Sequence, residues 1–303
     1  MGQSAFLRIL VALAAPTLLA ACGGGGDKPS SFAATPAAFS AAPGKTVAPG
    51  FGRSFVVQQG EKVGDARRTG FSALAANELT LSRDAQGAVS EIALTTPDLS
   101  TSWSKDDKQL ALDDGLLVGY RSKAGRTQAA VIASPDQGGF AHQTFGFWYD
   151  VDAVSGLNRF GSLSAGEETA AADLPKSGKA TFVGEATGMR TSAGDSLEFR
   201  IVRAQARIEA DFARRSASFS TTGSSVGRDA QGEKILDESL DMTGALSAGA
   251  DGRLSGKVRT AGGLSGGLDA RFYGPDATEI GGIFALEGPG AESFSGGFGA
   301  KKQ

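Results

Sequence analysis

The chain has 303 residues, 30 Lys and Arg against 33 Asp and Glu, a formal charge of −3, 44 glycines and one cysteine. This near-balance leaves no basic footprint for nucleic acid and no strong pull towards anionic membranes. A single cysteine allows no intramolecular disulfide, and the glycines follow no Gly-X-Y period, so the fold must rest on a packed core and backbone ladders.

Residues 1–21 have the layout of a secretory signal. Arg8 is the sole charge of a short leading region, and residues 9–19 are almost wholly apolar. That stretch is shorter than the roughly 20 apolar residues of a permanent membrane helix. Leu19-Ala20-Ala21-Cys22 resembles the lipobox of bacterial lipoproteins. The resemblance implies that Cys22 becomes the first mature residue and carries acyl groups on its thiol and amine. Gly23 is compatible with sorting to the outer membrane. Residues 22–50 are Gly, Ala, Pro and Ser with few large apolar side chains, and read as a flexible tether. The run Gly23 to Gly26 lacks the Lys-Ser or Lys-Thr ending of a phosphate loop.

Residues 51–174 read as a β-rich domain. Residues 54–58 form a first strand. Residues 79–81 and 92–94 alternate apolar and polar on either side of Asp84-Ala85-Gln86-Gly87, the pattern of a β-hairpin. Further strands are expected at 109–112, 116–120 and 129–132. Residues 140–149 are the most aromatic segment and predict a core strand. A short helix is expected around 167–172.

From Gly178 onward the pattern becomes regular. Strands are expected at about 180–188, 204–212, 216–221, 236–246, 253–260, 267–273, 280–286 and 293–300. Ile208, Ala210 and Phe212 share one face, with Arg207, Glu209 and Asp211 on the other. Leu268, Ala270 and Phe272 alternate in the same way with Asp269 and Arg271. One face is buried and one wet, as in an antiparallel sheet. Eight such strands in sequence predict an up-and-down barrel, which removes both sheet edges. An interior filled by Phe and Leu is favoured; a lipocalin-like ligand cavity is the competing architecture.

The run Ala270-Arg-Phe-Tyr-Gly-Pro-Asp-Ala-Thr-Glu-Ile-Gly-Gly-Ile-Phe-Ala285, followed by Ser295-Gly-Gly-Phe-Gly-Ala-Lys-Lys-Gln303, resembles the C-terminal signature of the transferrin-binding protein B barrel family. Leu174-Pro175-Lys-Ser-Gly178-Lys-Ala180-Thr-Phe182-Val-Gly184 is similar to the segment that opens those barrels, with Phe182 where tyrosine is common. The resemblance implies an all-β fold: an N-terminal handle domain at 51–174, then an eight-stranded antiparallel up-and-down β-barrel at 175–303. It also implies a lipid-anchored outer-membrane protein, displayed on the cell surface, that binds a host or environmental protein or an iron or haem source. An outer-membrane translocon or transporter would be its neighbour. A structural or accessory envelope lipoprotein without a captured nutrient is the alternative. The chain has room for one handle–barrel lobe, so no transferrin-contact residue is carried over.

Enzyme chemistry finds no constellation. His142 is the only histidine, no convincing nucleophile elbow accompanies it, and the chain is too poor in His and Cys for zinc. Asp106-Asp107 and Asp113-Asp114 lack the spacing of a calcium loop and read as solvated turns. No cofactor is expected, with one minor exception. His142 lies among aromatics and could serve as an axial haem ligand, with Tyr149 or Tyr120 as further candidates; the plainer reading is a strand histidine beside core rings. Trp103 reads either as handle packing or as an exposed anchor for a protein partner.

Overall fold

The computed structural model describes residue 39 and residues 42–60, 65–193, 197–229 and 232–303. The signal segment and Cys22 lie outside them. The first domain contains β1 Gly44–Gly52, β2 Ser54–Gln58, β3 Arg67–Arg68, β4 Ala75–Arg83, β5 Val89–Thr95, β6 Ser100–Ser104, β7 Leu110–Asp113, β8 Leu116–Lys123, β9 Arg126–Ala133, β10 Gln143–Asp152 and β11 Leu157–Gly166. They form one antiparallel sheet in the order β6-β5-β4-β1-β11-β10-β9-β8-β7, with β2 on the rest of β11 and β3 on β2. The hairpin expected around Asp84 to Gly87 is β4–β5; Asp84 caps its turn by accepting from the Gln86 and Ala88 amides.

The sheet curls. Trp103 on β6 reaches across to β8, where a β-carbon on Gly119 would lie 2.6 Å from the indole. Leu79, Leu81, Ile92, Leu94, Leu117, Ile132 and Trp148 fill the inside of the curl with it. Trp103 is therefore core, and its reading as an exposed anchor is corrected.

Strand β1 occupies Gly44–Gly52, across the end of the segment read as a tether. Nothing local drives this strand. It forms because β4 offers a nine-residue partner, from Gly44 opposite Arg83 to Gly52 opposite Ala75. Ahead of it, Phe39 is buried, its amide bonds the Ala141 carbonyl, and its own carbonyl accepts from Arg83.

The second domain contains β12 Lys179–Ala193, β13 Leu197–Asp211, β14 Ser216–Arg228, β15 Lys234–Leu236, β16 Met242–Ala248, β17 Leu254–Thr260, β18 Ser265–Tyr273, β19 Glu279–Glu287 and β20 Ser293–Lys302. Among the described residues, eight of these nine strands close in chain order, because β13 pairs both β12 and β14 and β20 returns to β12; β15 is an addition on β14. The single strand expected at 236–246 is broken. Asp237 donates its amide to Ser224, a 3-10 turn follows at Glu238–Leu240, and the barrel strand resumes at Met242. The expected helix at 167–172 is absent. Its backbone is claimed by the barrel instead: the Thr169 amide bonds the Phe272 carbonyl, and Glu167 accepts from Gly274.

The interior is filled. Phe182, Phe219, Phe272, Phe284, Phe294 and Phe298 are all buried there, in ring contacts such as Phe219–Phe298 at 4.8 Å and Phe284–Phe294 at 4.7 Å. The small inward residues make room for neighbours, not for a cavity: a β-carbon on Gly282 would lie 2.9 Å from the Phe298 ring. Outward positions away from the handle include Arg207, Glu209, Ser218, Thr243, Ser247, Ser255 and Lys257, all exposed. An apolar interior under a polar exterior is the reverse of a membrane-spanning barrel, whose lipid face is an apolar band.

Candidate interaction surface

The handle lies on the outside of β19 and β20, where the barrel is smoothest. Outward positions there include Gly281, Gly297 and Gly299. A β-carbon on Gly297 would stand 2.6 Å from the Leu163 carbonyl and 2.7 Å from the Gly146 amide, so glycine lets two backbones meet directly. Strand β10 supplies the handle side. Phe145 and Phe147 face the barrel, and Trp148 faces the curl behind. The aromatic segment thus serves both faces of its sheet.

Polar groups close the joint. The Tyr273 hydroxyl lies 2.8 Å from Ser164 Oγ, Glu168 takes Arg253 and Arg271, Arg53 pairs with Asp269, and Arg68 pairs with Glu287. Handle and barrel fall within one compact unit, Pro36–Gln303.

His142 belongs to this joint. Its Nδ1 lies 3.2 Å from Glu167 Oε2, and its ring sits against Gly274, where a β-carbon would lie 2.5 Å from the imidazole. Tyr149 is half-buried, and desolvation pushes its hydroxyl up to about 12. Tyr120 is exposed on β8. The structure does not bring these three groups together around a common space. Among the described residues no cluster of three His, Cys, Asp or Glu side chains could hold a metal ion. No helix among them is long and apolar enough to cross a membrane.

Beneath His142, Glu279 accepts the Ala141 amide at 2.7 Å and the His142 amide at 3.3 Å. Burial pushes its carboxyl above the ordinary value, and the two amides oppose this without cancelling it. The folded state then holds the proton more tightly than the unfolded chain. The resulting stability is complete below the ordinary carboxyl range and is lost as pH rises through the raised value. Denaturant midpoints of the native chain should therefore fall across weakly acidic pH, and those of Glu279→Gln should fall less. Parallel profiles would show that Glu279 does not titrate there.

The feature that sequence reading missed is a face at which handle and barrel meet. Asp113 ends β7 and Asp114 lies in the turn that follows, but Asp114 is not simply solvated. Its carboxylate takes Arg203 at 2.7 Å and Arg228 at 3.1 Å. Burial alone would raise its pKa; the two guanidiniums outweigh that and hold it below the usual range. Around this clasp stand exposed apolar side chains: Leu112 on β7, Ile201 on β13, and Ile235 and Leu236 on β15, with Ile201 43% and Leu236 61% exposed. Ser225 pairs with both Arg203 and Leu236, which places β15 beside the clasp. Phe199 is 37% exposed and rests on the buried Phe160 at 4.9 Å. A groove of about 570 Å³ runs alongside, lined by Phe140, Val183, Glu185, Arg203, Lys234 and Leu236. The available signal was Phe199-Arg-Ile-Val202, where apolar residues fall on both faces of one strand; the strand expected from residue 204 excluded it.

Residues 174–302 match the profile of a family described as the C-lobe and N-lobe beta barrels of Tf-binding protein B. The second domain is thus similar to the barrels of that family. Solved structures similar to the chain include a mutant of the transferrin-binding protein B vaccine antigen of Haemophilus parasuis, at 11% identity, TM-score 0.43, over 86% of this chain and 77% of that one. The isotype 1 transferrin-binding protein B of serogroup B Neisseria meningitidis follows at 14%, TM-score 0.40, over 80% and 56%. A protein described as a surface lipoprotein follows at 12%, TM-score 0.39, over 82% and 98%. No curated protein matches the chain in sequence. In this barrel the residues that resemble the family signature divide by role. Phe272, Phe284 and Phe298 fill the interior, Gly281 and Gly297 carry the handle, and Gly274-Pro275 turns the chain beneath His142. All are structural, so the signature identifies the barrel and not its ligand.

Proposed function

We propose that the chain is a lipid-anchored outer-membrane protein, attached through Cys22 and displayed on the cell surface, that captures a protein through the face around Asp114, Arg203, Arg228, Ile201 and Leu236. The partner is a host or environmental protein or a carrier of iron or haem; the chain acts by binding and not by turnover. The observation that carries this reading is the exposure of Ile201, Ile235 and Leu236 beside a fixed pair of arginines, with Val183 on β12 and Phe199 on β13 also exposed. Arginine is enriched at binding hot spots, and exposed apolar side chains beside it offer area to bury against a partner. The family profile supports it, since its description names a binding protein.

The test has two parts. Protease added to intact cells should remove the domain. Immobilised wild-type chain should retain a partner from serum or culture medium, with purified transferrin as the first probe. Ile201→Glu with Leu236→Glu should weaken that retention by about tenfold or more, because each places a charge in the desolvated centre of the contact. Protection on whole cells would sink surface display. A partner held equally by the double variant would move the site elsewhere, and no partner at all would leave the accessory envelope lipoprotein as the better reading.

A further inference from the structure

The two ends of the barrel are not alike. At one end Leu240, Leu264 and Ala291 are buried and seal the interior. At the other, the turns at 211–216 and 248–254 and the strap at 171–176 surround a cavity of about 360 Å³. That volume lies within the usual range for small-ligand pockets, roughly 300–1,000 Å³. Its floor is apolar: Phe272 and Leu254 are buried, and Phe212 meets Phe272 at 5.4 Å. Leu174 of the strap closes one side and reaches towards Gly252.

The rim is charged, and its charges are unequal. Asp211 is already answered by the Arg214 amide and by Lys179 and Arg214. Lys176 and Arg215 have no carboxylate partner among the described residues. The Arg215 guanidinium donates only to the Gly249 carbonyl, a neutral acceptor, and the residue occupies the left-handed region at φ 53° within its turn. An apolar floor beneath two unanswered cations selects a ligand with an apolar tail and an anionic end.

We propose that this mouth binds a single-chain carboxylate of the fatty-acid class, with its tail on Phe212, Leu254 and Phe272 and its carboxylate at Arg215 and Lys176. The site is separate from the protein-capture face and does not depend on it. A floor of phenylalanine and leucine side chains excludes water from the tail, and a guanidinium can bond a carboxylate through two parallel N–H groups.

Titration of the full chain with the fluorescent fatty acid cis-parinarate tests this. One saturable site is expected, displaced by decanoate more strongly than by decanol. Arg215→Gln, an exposed rim change that leaves the core intact, should weaken binding about tenfold, the loss expected for a charge-assisted pair. Ala248→Trp, which fills the cavity, should abolish it, with the melting curve of the variant confirming that it folds. Ile201→Glu with Leu236→Glu should leave the titration unchanged. Absence of saturable binding, displacement by decanol equal to that by decanoate, or full binding by Arg215→Gln would each overturn the assignment.

Discussion

Gly297→Leu is expected to lower stability by about 3 kcal/mol, at the upper end for forcing extra atoms into a packed site. It is also expected to free the handle from the barrel. The reason is the nature of the neighbours. At Gly297 the obstructing atoms are the Leu163 carbonyl and the Gly146 amide, both backbone in the middle of a sheet. Neither can rotate aside, so the two domains must separate. Gly281→Ala gives the contrast. There the nearest atoms are the carboxamide end of Gln143, a side chain whose oxygen has no hydrogen-bond partner in the structure. Its displacement leaves the sheets in place, so the cost should be clearly smaller. Calorimetry with limited proteolysis separates the cases: Gly297→Leu should split one transition into two and open the strap at 167–178 to protease. One unshifted transition would show that the joint tolerates a side chain and that glycine is not what seats the handle.

That joint marks the limit of what the sequence could show. The barrel was legible because burial inside a closed sheet imposes a period of two, and Ile208, Leu268 and Phe272 obey it. The outward glycines carry no such signal. A residue with no side chain reads the same whether it faces water, a turn or another sheet, so Gly297 and Gly299 gave no sign of a docked handle. Strand β1 was hidden for a related reason. Residues 44–52 form a strand because β4 is beside them, and a partner thirty residues away leaves no local pattern. The segment at 167–172 has helix-compatible residues, yet its amides and carbonyls are bonded to β18 and the turn after it, a tertiary contact that overrides propensity. At the candidate face, Asp114 looked like a turn residue and is one. What local sequence could not show is that the turn ends against Arg203 and Arg228, 89 and 114 positions further along.

Trp103 shows the same ambiguity in a single side chain, and its replacement should have an effect as large. Trp103→Ala is expected to cost about 3–5 kcal/mol, the range for deleting a fully buried aromatic. The indole is wholly inaccessible and bridges β6 to β8 across the open side of the curl. No backbone ladder joins those two strands. Arg121 helps by donating to the Ser102 carbonyl and to Gln109, but the apolar contact across the gap is chiefly Trp103. The alanine variant should therefore lose the rolled shape of the handle, and with it the placement of the β7–β8 turn that brings Asp114 to the barrel. Trp103→Phe should cost much less. It keeps a ring over Gly119 and removes an indole N–H that is buried without a partner, a group whose isolation costs roughly 1–3 kcal/mol. Urea unfolding measures both. An exposed anchor would give the opposite result: full stability in Trp103→Ala, with loss confined to partner binding. Because the residue is enclosed on every side by the handle, any binding defect in Trp103→Ala should track its melting temperature, and Trp103→Phe should bind as the native chain does.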